Sequence, residues 1–277
     1  MKYTLTAIFS IAAASVAFGG IAVHGHRGEP RIAPENTAES IKLAFDLGSQ
    51  MIETDVNITK EGQLVVMHDR RELKKVWGID KPVEDLTLED LKNSKLAHPE
   101  NYDPKYANAK IPTFDELLKV IPKDKRFELE IKVYGEGFAR KVVEALKRAG
   151  LTEKNVLITC FRPEVTADFK RQFPQFETMH ICGIGKGKDG KPTKTPEQII
   201  AATRQGKAGE VAIGGYKNID RAFVKKIQDA GIKVAVWQVE NLDDLDYAVQ
   251  LGATRVCSNN AHKLREAYKR IHSLDFK

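Results

Sequence analysis

The chain of 277 residues has little sulfur, little glycine and proline, and no apolar run long enough to cross a bilayer. Its longest apolar stretch, residues 5–18, falls short of the ~20 residues that a spanning helix needs. Three cysteines, Cys160, Cys182 and Cys257, lie far apart with no Cys-x-x-Cys spacing. That excludes a disulfide scaffold and a thiolate metal site, so they read as small buried hydrophobes, although an exported chain permits one disulfide. With 20 Gly and 11 Pro the composition is neither collagen-like nor low-complexity. Charge of one sign is also lacking: 44 Lys+Arg face 38 Asp+Glu, a net charge of only +6. No dense basic run carries interleaved aromatics, so nucleic acid is not an expected partner. What remains is 42% apolar and 30% charged, a soluble globular composition whose mildly basic surface suits anionic substrates.

The apolar stretch at 5–18 follows Lys2 and ends on small residues, Ser15 and Ala17, at the spacing a signal peptidase accepts. Residues 1–17 are therefore expected to be a signal peptide and 18–277 the mature, exported protein, periplasmic or secreted. No cysteine at the junction offers a lipid attachment point, and no stable membrane insertion is expected after cleavage. A buried first helix is the competing reading, but the segment lacks a polar face.

From residue 21 onward, short β-branched runs alternate with amphipathic stretches, the pattern of parallel strands joined by helices. Nine strand-like runs occur, at 21–26, 51–56, 64–68, 127–132, 156–161, 177–182, 210–214, 233–239 and 255–258. Helical periodicity fills 138–148, 163–172, 196–205, 219–230, 242–251 and 261–271, and Asn36 or Thr37 is the N-cap of a first helix. The fold class expected is α/β, a single-domain (β/α)8 barrel, which such a length accommodates. Nine runs compete for eight places, and one of the later runs is expected to be the extra one. Only the turn-like Thr59-Lys60-Glu61-Gly62 separates the second and third runs, so no helix fits there. A polar excursion at about 70–110 reads as an insertion at the top of the barrel.

Polar residues gather where strands end: His26-Arg27-Gly28, Glu53-x-Asp55, His68-Asp69 and Glu128-x-Glu130-x-Lys132. Residues two apart on a strand share a face, so Glu53 and Asp55 point together, as do Glu130 and Lys132. In a barrel that face is the interior, where ions are costly unless paired or bound to a cation, and the tolerant place is the C-terminal rim. Three carboxylates without a nearby cysteine suit one hard divalent cation, Mg²⁺ or Ca²⁺. With Arg27, Lys132 and a singly charged substrate the site sums to zero. His26 and His68 supply groups that titrate near neutrality, one to remove a proton and one to donate it. Asp69 reads as a group that orients a neighbour or caps a turn.

At these positions the chain resembles the glycerophosphodiester phosphodiesterase family. The matching stretches are HRGEPRIAPENT at 26–37, IETDVNITKEGQLVVMHD at 52–69, IPTFDEL at 111–117 and ELEIK at 128–132, with a weaker match, VAVWQVEN, at 234–241. The resemblance implies a TIM-type barrel with a short insertion after the third strand. It also implies metal-dependent hydrolysis of small glycerophosphodiesters to an alcohol and glycerol 3-phosphate. Carried over position by position, His26 and His68 are the acid/base pair, Glu53, Asp55 and Glu130 the metal ligands, and Arg27 and Lys132 the phosphate contacts. Trp237 lines the substrate pocket. The chain departs from the family near its end, where Cys257-Ser258-Asn259-Asn260-Ala261 replaces the usual Thr-Asp pair followed by Pro, and where Trp237-Gln238-Val239-Glu240-Asn241 replaces Trp-Thr-Val-Asn.

Two rival readings are a phospholipid-cleaving barrel phosphodiesterase, sphingomyelinase D-like or phosphoinositide-specific, and a silent binding protein on the same scaffold. No hydrophobic loop rich in Trp and Phe supports the first, and a binder needs neither histidine. The glycines between 183 and 191 imitate a phosphate loop and a dinucleotide fingerprint, but Pro192 follows Lys191 where Ser or Thr and a helix are required. The segment is read instead as a mobile basic loop.

Overall fold

The computed structural model describes residues 21–274, with side chains to residue 270, so the expected leader at 1–17 lies outside the described residues. The strands are β1 (Ala22–Gly25), β2 (Met51–Ile58), β3 (Leu64–Val66), β4 (Arg126–Ile131), β5 (Val156–Cys160), β6 (Glu177–Gly183), β7 (Glu210–Gly214), β8 (Lys233–Trp237) and β9 (Arg255–Ser258). They hydrogen-bond in the order β1-β9-β8-β7-β6-β5-β4-β2, and β1 pairs with β2 at Gly25 and Ile52 to close the ring. Eight parallel strands thus form a barrel, as expected for a (β/α)8 fold.

The ninth strand is β3, so the expectation that a later run would be the extra one is overturned. β3 lies antiparallel on β2, with Val56 opposite Val66 and Ile58 opposite Leu64. The physical reason is the connection. The Thr59 N–H bonds to the Gln63 carbonyl across a tight reversal in which Gly62 adopts φ +85°. A parallel partner requires a crossover of a dozen or more residues, which this turn does not supply.

The helices are α1 (Ala38–Asp46), α2 (Arg70–Trp77), α3 (Leu88–Asn93), α4 (Phe114–Leu118), α5 (Phe138–Arg148), α6 (Pro163–Gln172), α7 (Pro196–Gln205), α8 (Arg221–Asp229), α9 (Leu242–Leu251) and α10 (Ala261–Leu274). Their apolar faces pack on the outside of the barrel in two large clusters. One is built around Ile41, Phe114, Phe127, Val142 and Phe169, the other around Val211, Val224, Val234, Leu245 and Val256. The excursion after β3 holds α2, α3 and three single 3-10 turns, and buries its own small cluster of Met67, Leu73, Trp77, Leu91 and Ile111. Cys160, Cys182 and Cys257 are buried free thiols.

The interior of the barrel is divided. Leu157, Met179, Ile181, Ala212 and Ala235 form a small apolar cluster on the β5–β8 side. On the opposite side stand His24, Glu53, Asp55, Glu128 and Glu130, all buried, on β1, β2 and β4. Acidic side chains therefore face apolar ones across a single pocket.

Candidate active site

The site begins in the turn after β1. Arg27 adopts φ +54° and Gly28 φ +92°. A side chain on Gly28 would stand 2.4 Å from the Ser40 hydroxyl, so only glycine fits against α1. This turn aims the Arg27 N–H at Glu53 Oε2, 3.0 Å away. Thr37 caps α1 by accepting from the Ser40 N–H. Asn36, at φ +57°, is thereby free for another task. Its amide nitrogen donates to Asp55 Oδ2 at 2.8 Å, and its carbonyl accepts from the Asp55 N–H and the Thr54 hydroxyl.

Asp55 is wholly buried and flanked by Arg27 Nε and Lys132 Nζ, each at 3.2 Å. Burial alone would raise its pKa, but Lys132 and Arg27 hold the carboxyl well below the usual range. Its neighbours yield instead. Burial, with Asp55 beside it, drives Glu53 well above the ordinary carboxylate value. The same two causes raise Glu130 to about 7, although Lys132 donates to it. Two further carboxylates, Glu35 and Glu72, grip Arg27. The balance drawn from sequence omitted them. Five carboxylates surround two fixed cations, a formal excess of three negative charges that the raised values of Glu53 and Glu130 relieve by protonation, and Glu53 Oε1 is buried without a hydrogen-bond partner.

That excess fits a divalent cation. Ligand atoms of Asp55, His68 and Glu130 all lie within 4.8 Å of one another. Two of these, Asp55 and Glu130, are expected ligands. His68 joins them, while Glu53, the third expected ligand, is bound by the Arg27 N–H and lies 3.8 Å from His26 Nε2. The donor set of carboxylate oxygens and an imidazole suits a hard or borderline ion.

Each histidine is anchored through Nδ1. His68 Nδ1 lies 3.1 Å from Asp69 Oδ2, and the other oxygen of Asp69 caps α2 by accepting from the Glu72 N–H. Asp69 thus orients and caps at once. His26 Nδ1 lies 2.7 Å from Asn259 Oδ1, with the Gln238 amide nitrogen 2.8 and 3.2 Å from the two ring nitrogens. Asn259 in turn donates to Gln238 and Glu240. The Asp69 carboxylate assigns the His68 proton to Nδ1 and leaves its Nε2 lone pair available, while both ring nitrogens of His26 lie within reach of the Gln238 amide. Burial, with Arg27 next, lowers the His26 pKa to about 3, and burial lowers His68 to about 4 against the pull of Asp55.

Arg27 lines the main pocket, whereas Lys132 lines an adjoining depression shared with His68 and Glu130. On the far wall the Trp237 ring meets Phe161 edge-on, centroids 5.9 Å apart, and Gly214 makes room, since a Cβ there would stand 2.6 Å from the indole. Phe161 is 43% exposed at the rim. Glu35, Asn36, Glu72, Phe161, Gln238 and Asn259 were not identified as site residues from sequence. Glu35 and Asn36, inside the first matching stretch, carried a signal that pointed there, as did Gln238 and Asn259, which stand where the chain departs from the family pattern; Glu72 and Phe161 carried none.

An acidic cluster with two histidines thus stands at the C-terminal rim of a parallel barrel, with ligand atoms placed so that they could hold a metal ion. The sequence profile of the glycerophosphoryl diester phosphodiesterase family matches residues 26–263. The chain belongs to that family. A glycerophosphodiester phosphodiesterase of Caldanaerobacter subterraneus is 29% identical over 248 residues, 87% of this chain and 95% of that one. A probable glycerophosphodiester phosphodiesterase 2 of Mycobacterium tuberculosis is 34% identical over 90% of each chain. An Oleispira antarctica phosphodiesterase, solved with its product sn-glycerol-3-phosphate, superposes with a TM-score of 0.75 at 23% identity, covering 89% of this chain and 96% of that one.

Proposed function

We propose that the protein hydrolyses glycerophosphodiesters to the free alcohol and glycerol 3-phosphate with one divalent cation, Mg²⁺ or Ca²⁺. The observation that carries this reading is the convergence of Asp55, Glu130 and His68 at the strand ends of a chain of this family. Glu53, Asp55 and Glu130 are assigned as the cation's ligands, Glu53 because its orphaned oxygen is buried beside Asp55. The bound ion would polarise the phosphoryl oxygens and lower the pKa of an oxygen nucleophile.

The chain's own groups do the rest. His26 and His68 are neutral at pH 7, so one accepts a proton from the attacking water, and the other takes up a proton from solvent and donates it to the leaving alcohol oxygen, the proton held by the first returning to solvent at the end of the turnover. An imidazolium at His68 is steadied by Asp69 and one at His26 by Glu53. Arg27 and Lys132 bring positive charge to the phosphate. Trp237 and Phe161 provide an apolar wall for the organic part of the substrate.

The test is turnover of a panel of glycerophosphodiesters and intact phospholipids with Mg²⁺ and Ca²⁺ compared, scored as glycerol 3-phosphate released. Full activity in excess chelator, or a preference for intact phospholipid, overturns the reading. Cation titration and kinetics of Glu53→Gln and His26→Ala then separate ligand from acid/base group, since His26 stands outside the Asp55, His68 and Glu130 cluster: the first is expected to lose cation affinity, the second turnover. Export is proposed from residues 1–17. Amino-terminal sequencing of protein recovered from the envelope or the medium should begin near Phe18, and an intact Met1 in a cytoplasmic fraction refutes it.

A further inference from the structure

The basic segment after β6 plays no part in the chemistry above. Its backbone closes into a small hairpin, with Lys186 bridged to Pro192, the Gly187 N–H on the Lys191 carbonyl at 2.7 Å, and the Thr193 N–H on the Gly185 carbonyl at 3.0 Å. It carries four lysines, Lys186, Lys188, Lys191 and Lys194, against one acid, Asp189. Among the described residues none of the four lysines forms an ion pair, and Lys186, Lys188 and Lys191 are exposed. Following the C-terminal end of β6, the hairpin stands on the same rim as the acidic cluster.

Two depressions, lined by residues adjacent in the chain, lie along the rim between them. A shallow depression shares Trp237 and Gln238 with the main pocket and runs over Gly183, Gly185, Gly214 and Gly215. One residue beyond Gly185 a second depression begins, lined by Lys186, Gly190, Pro192 and Lys217. Two of the floor glycines are required by packing: Gly214 lies under the indole, and Gly215, at φ +71°, would otherwise press a Cβ to 2.0 Å from the Ile184 carbonyl oxygen. Gly183 is different. Its φ is not in the left-handed region, and nothing lies within 4 Å of where a Cβ would stand. Neither conformation nor packing demands glycine there, and its effect is to keep the first depression open.

We propose that the two depressions form a path to a second anion subsite, which takes a glycerophosphodiester whose alcohol moiety bears an additional phosphate. The scissile phosphate sits at the acidic cluster, the alcohol crosses Trp237 and the glycine floor, and the distal phosphate reaches Lys186 and its hairpin neighbours. The occupant follows from charge. Unpaired lysines flank the exit from a site that handles singly charged diesters, and only a substrate with a further anion along the path gains from them. Lys217 contributes less, because Asp244 already pairs with it.

The inference rests on the proposed diester hydrolysis, and the experiment separates the two. Glycerophosphoglycerol is compared with its counterpart phosphorylated on the distal glycerol. The wild-type protein is expected to favour the doubly phosphorylated substrate by about tenfold in kcat/KM at low salt, carried by KM, with the ratio shrinking as ionic strength rises. The paired substitution Lys186→Glu with Lys191→Glu, and independently Gly183→Leu, should bring the ratio to about one. No preference in the wild type, or a preference that survives the lysine changes, overturns the subsite. Sedimentation with phosphatidylglycerol vesicles is the third arm. Lysine-dependent vesicle binding without a substrate preference would make the hairpin a membrane dock and refute the proposal. If neither diester is cleaved, the proposed reaction fails, and the subsite is still read from calorimetric affinities: equal binding of both diesters, or a preference that the lysine changes leave intact, overturns it.

Discussion

Asp55 shows how much a single carboxylate depends on its surroundings. Asn36 fixes both its side chain and its amide, so the carboxylate has one orientation when Arg27 and Lys132 approach. Partners that orient a ligand are typically worth 10–100-fold in metal affinity or activity. Asn36→Ala is therefore expected to lower kcat/KM by roughly 10–100-fold with cation affinity falling alongside. Unchanged kinetics and cation titration would mean that the clamp is ornamental. A second residue speaks to stability. His180, on the outer face of β6, is buried with Nδ1 unpartnered, and burial, with Lys194 next, lowers its pKa to about 4. Above pH 6.5 the ring is neutral folded or unfolded and costs nothing. As pH falls below 6.5 the unfolded chain takes the proton first, so stability drains until the folded pKa is reached. Relative to His180→Gln, the wild type should lose about 2 kcal/mol between pH 7.5 and 4.5 in urea unfolding. A pH-independent difference would show that the ring protonates freely in the fold.

At the scale of elements, legibility followed length and periodicity. α5, α6, α7 and α9 run over the residues expected from their apolar stripes, because ten or eleven residues give an unambiguous 3.6-residue period. α3 and α4 have six and five residues, too few for a stripe, and their burial is set by tertiary packing. β3 was visible as a strand, yet its place outside the ring depended on the connection rather than on its own residues. The site divided in the same way. Pairs two apart, Glu53 with Asp55 and Glu130 with Lys132, were readable from the pleat. Asn259 against His26 and Glu72 against Arg27 join residues far apart in the chain; the departure from the family pattern marked Asn259 without showing what it touches, and nothing local marks Glu72. One local signal was structural. In IPTFDEL, Thr113 and Glu116 form a reciprocal capping box at α4, whose Phe114, Leu117 and Leu118 are wholly buried. Thr113→Ala should cost about 1 kcal/mol in urea unfolding with activity intact. A loss within error would place the helix start under the control of packing alone.

The whole barrel is crossed by one buried network beneath the active site. Arg255, on β9, reaches Glu128 on β4 at 2.7 Å and Glu210 on β7 at 3.1 Å, while His24 on β1 meets the other oxygen of Glu128 at 3.3 Å. Three strands are thus tied through a single guanidinium, and β1 joins them through Glu128, in a layer that barrels of this type usually fill with branched apolar side chains. Burial alone would raise the Glu128 pKa, but Arg255 and then His24 hold it at about 2. For Glu210 burial prevails, and its value stays above the ordinary one in spite of Arg255. Glu128 therefore adds stability above its unfolded pKa, a contribution lost as pH falls from about 4.5 toward 2. Glu210 works in the opposite sense and is relieved on acidification. Arg255→Met keeps an apolar stem but leaves two carboxylates buried without a cation, a change expected to cost about 3–5 kcal/mol at pH 7. With Arg255 gone both carboxyls favour the protonated form in the fold, so the variant should gain stability as pH falls from 7 to 5, where the wild type gains less. The gap between the two should narrow over that range. Adding Glu128→Gln and Glu210→Gln to Arg255→Met should recover most of the loss at pH 7, since no uncompensated charge then remains inside. A gap that stays constant with pH and is not recovered by those changes would mean that Arg255 acts through packing against Met51 and Met179, whose sulfurs lie 3.8 and 3.2 Å from its guanidinium, and that charge has no part in closing the barrel.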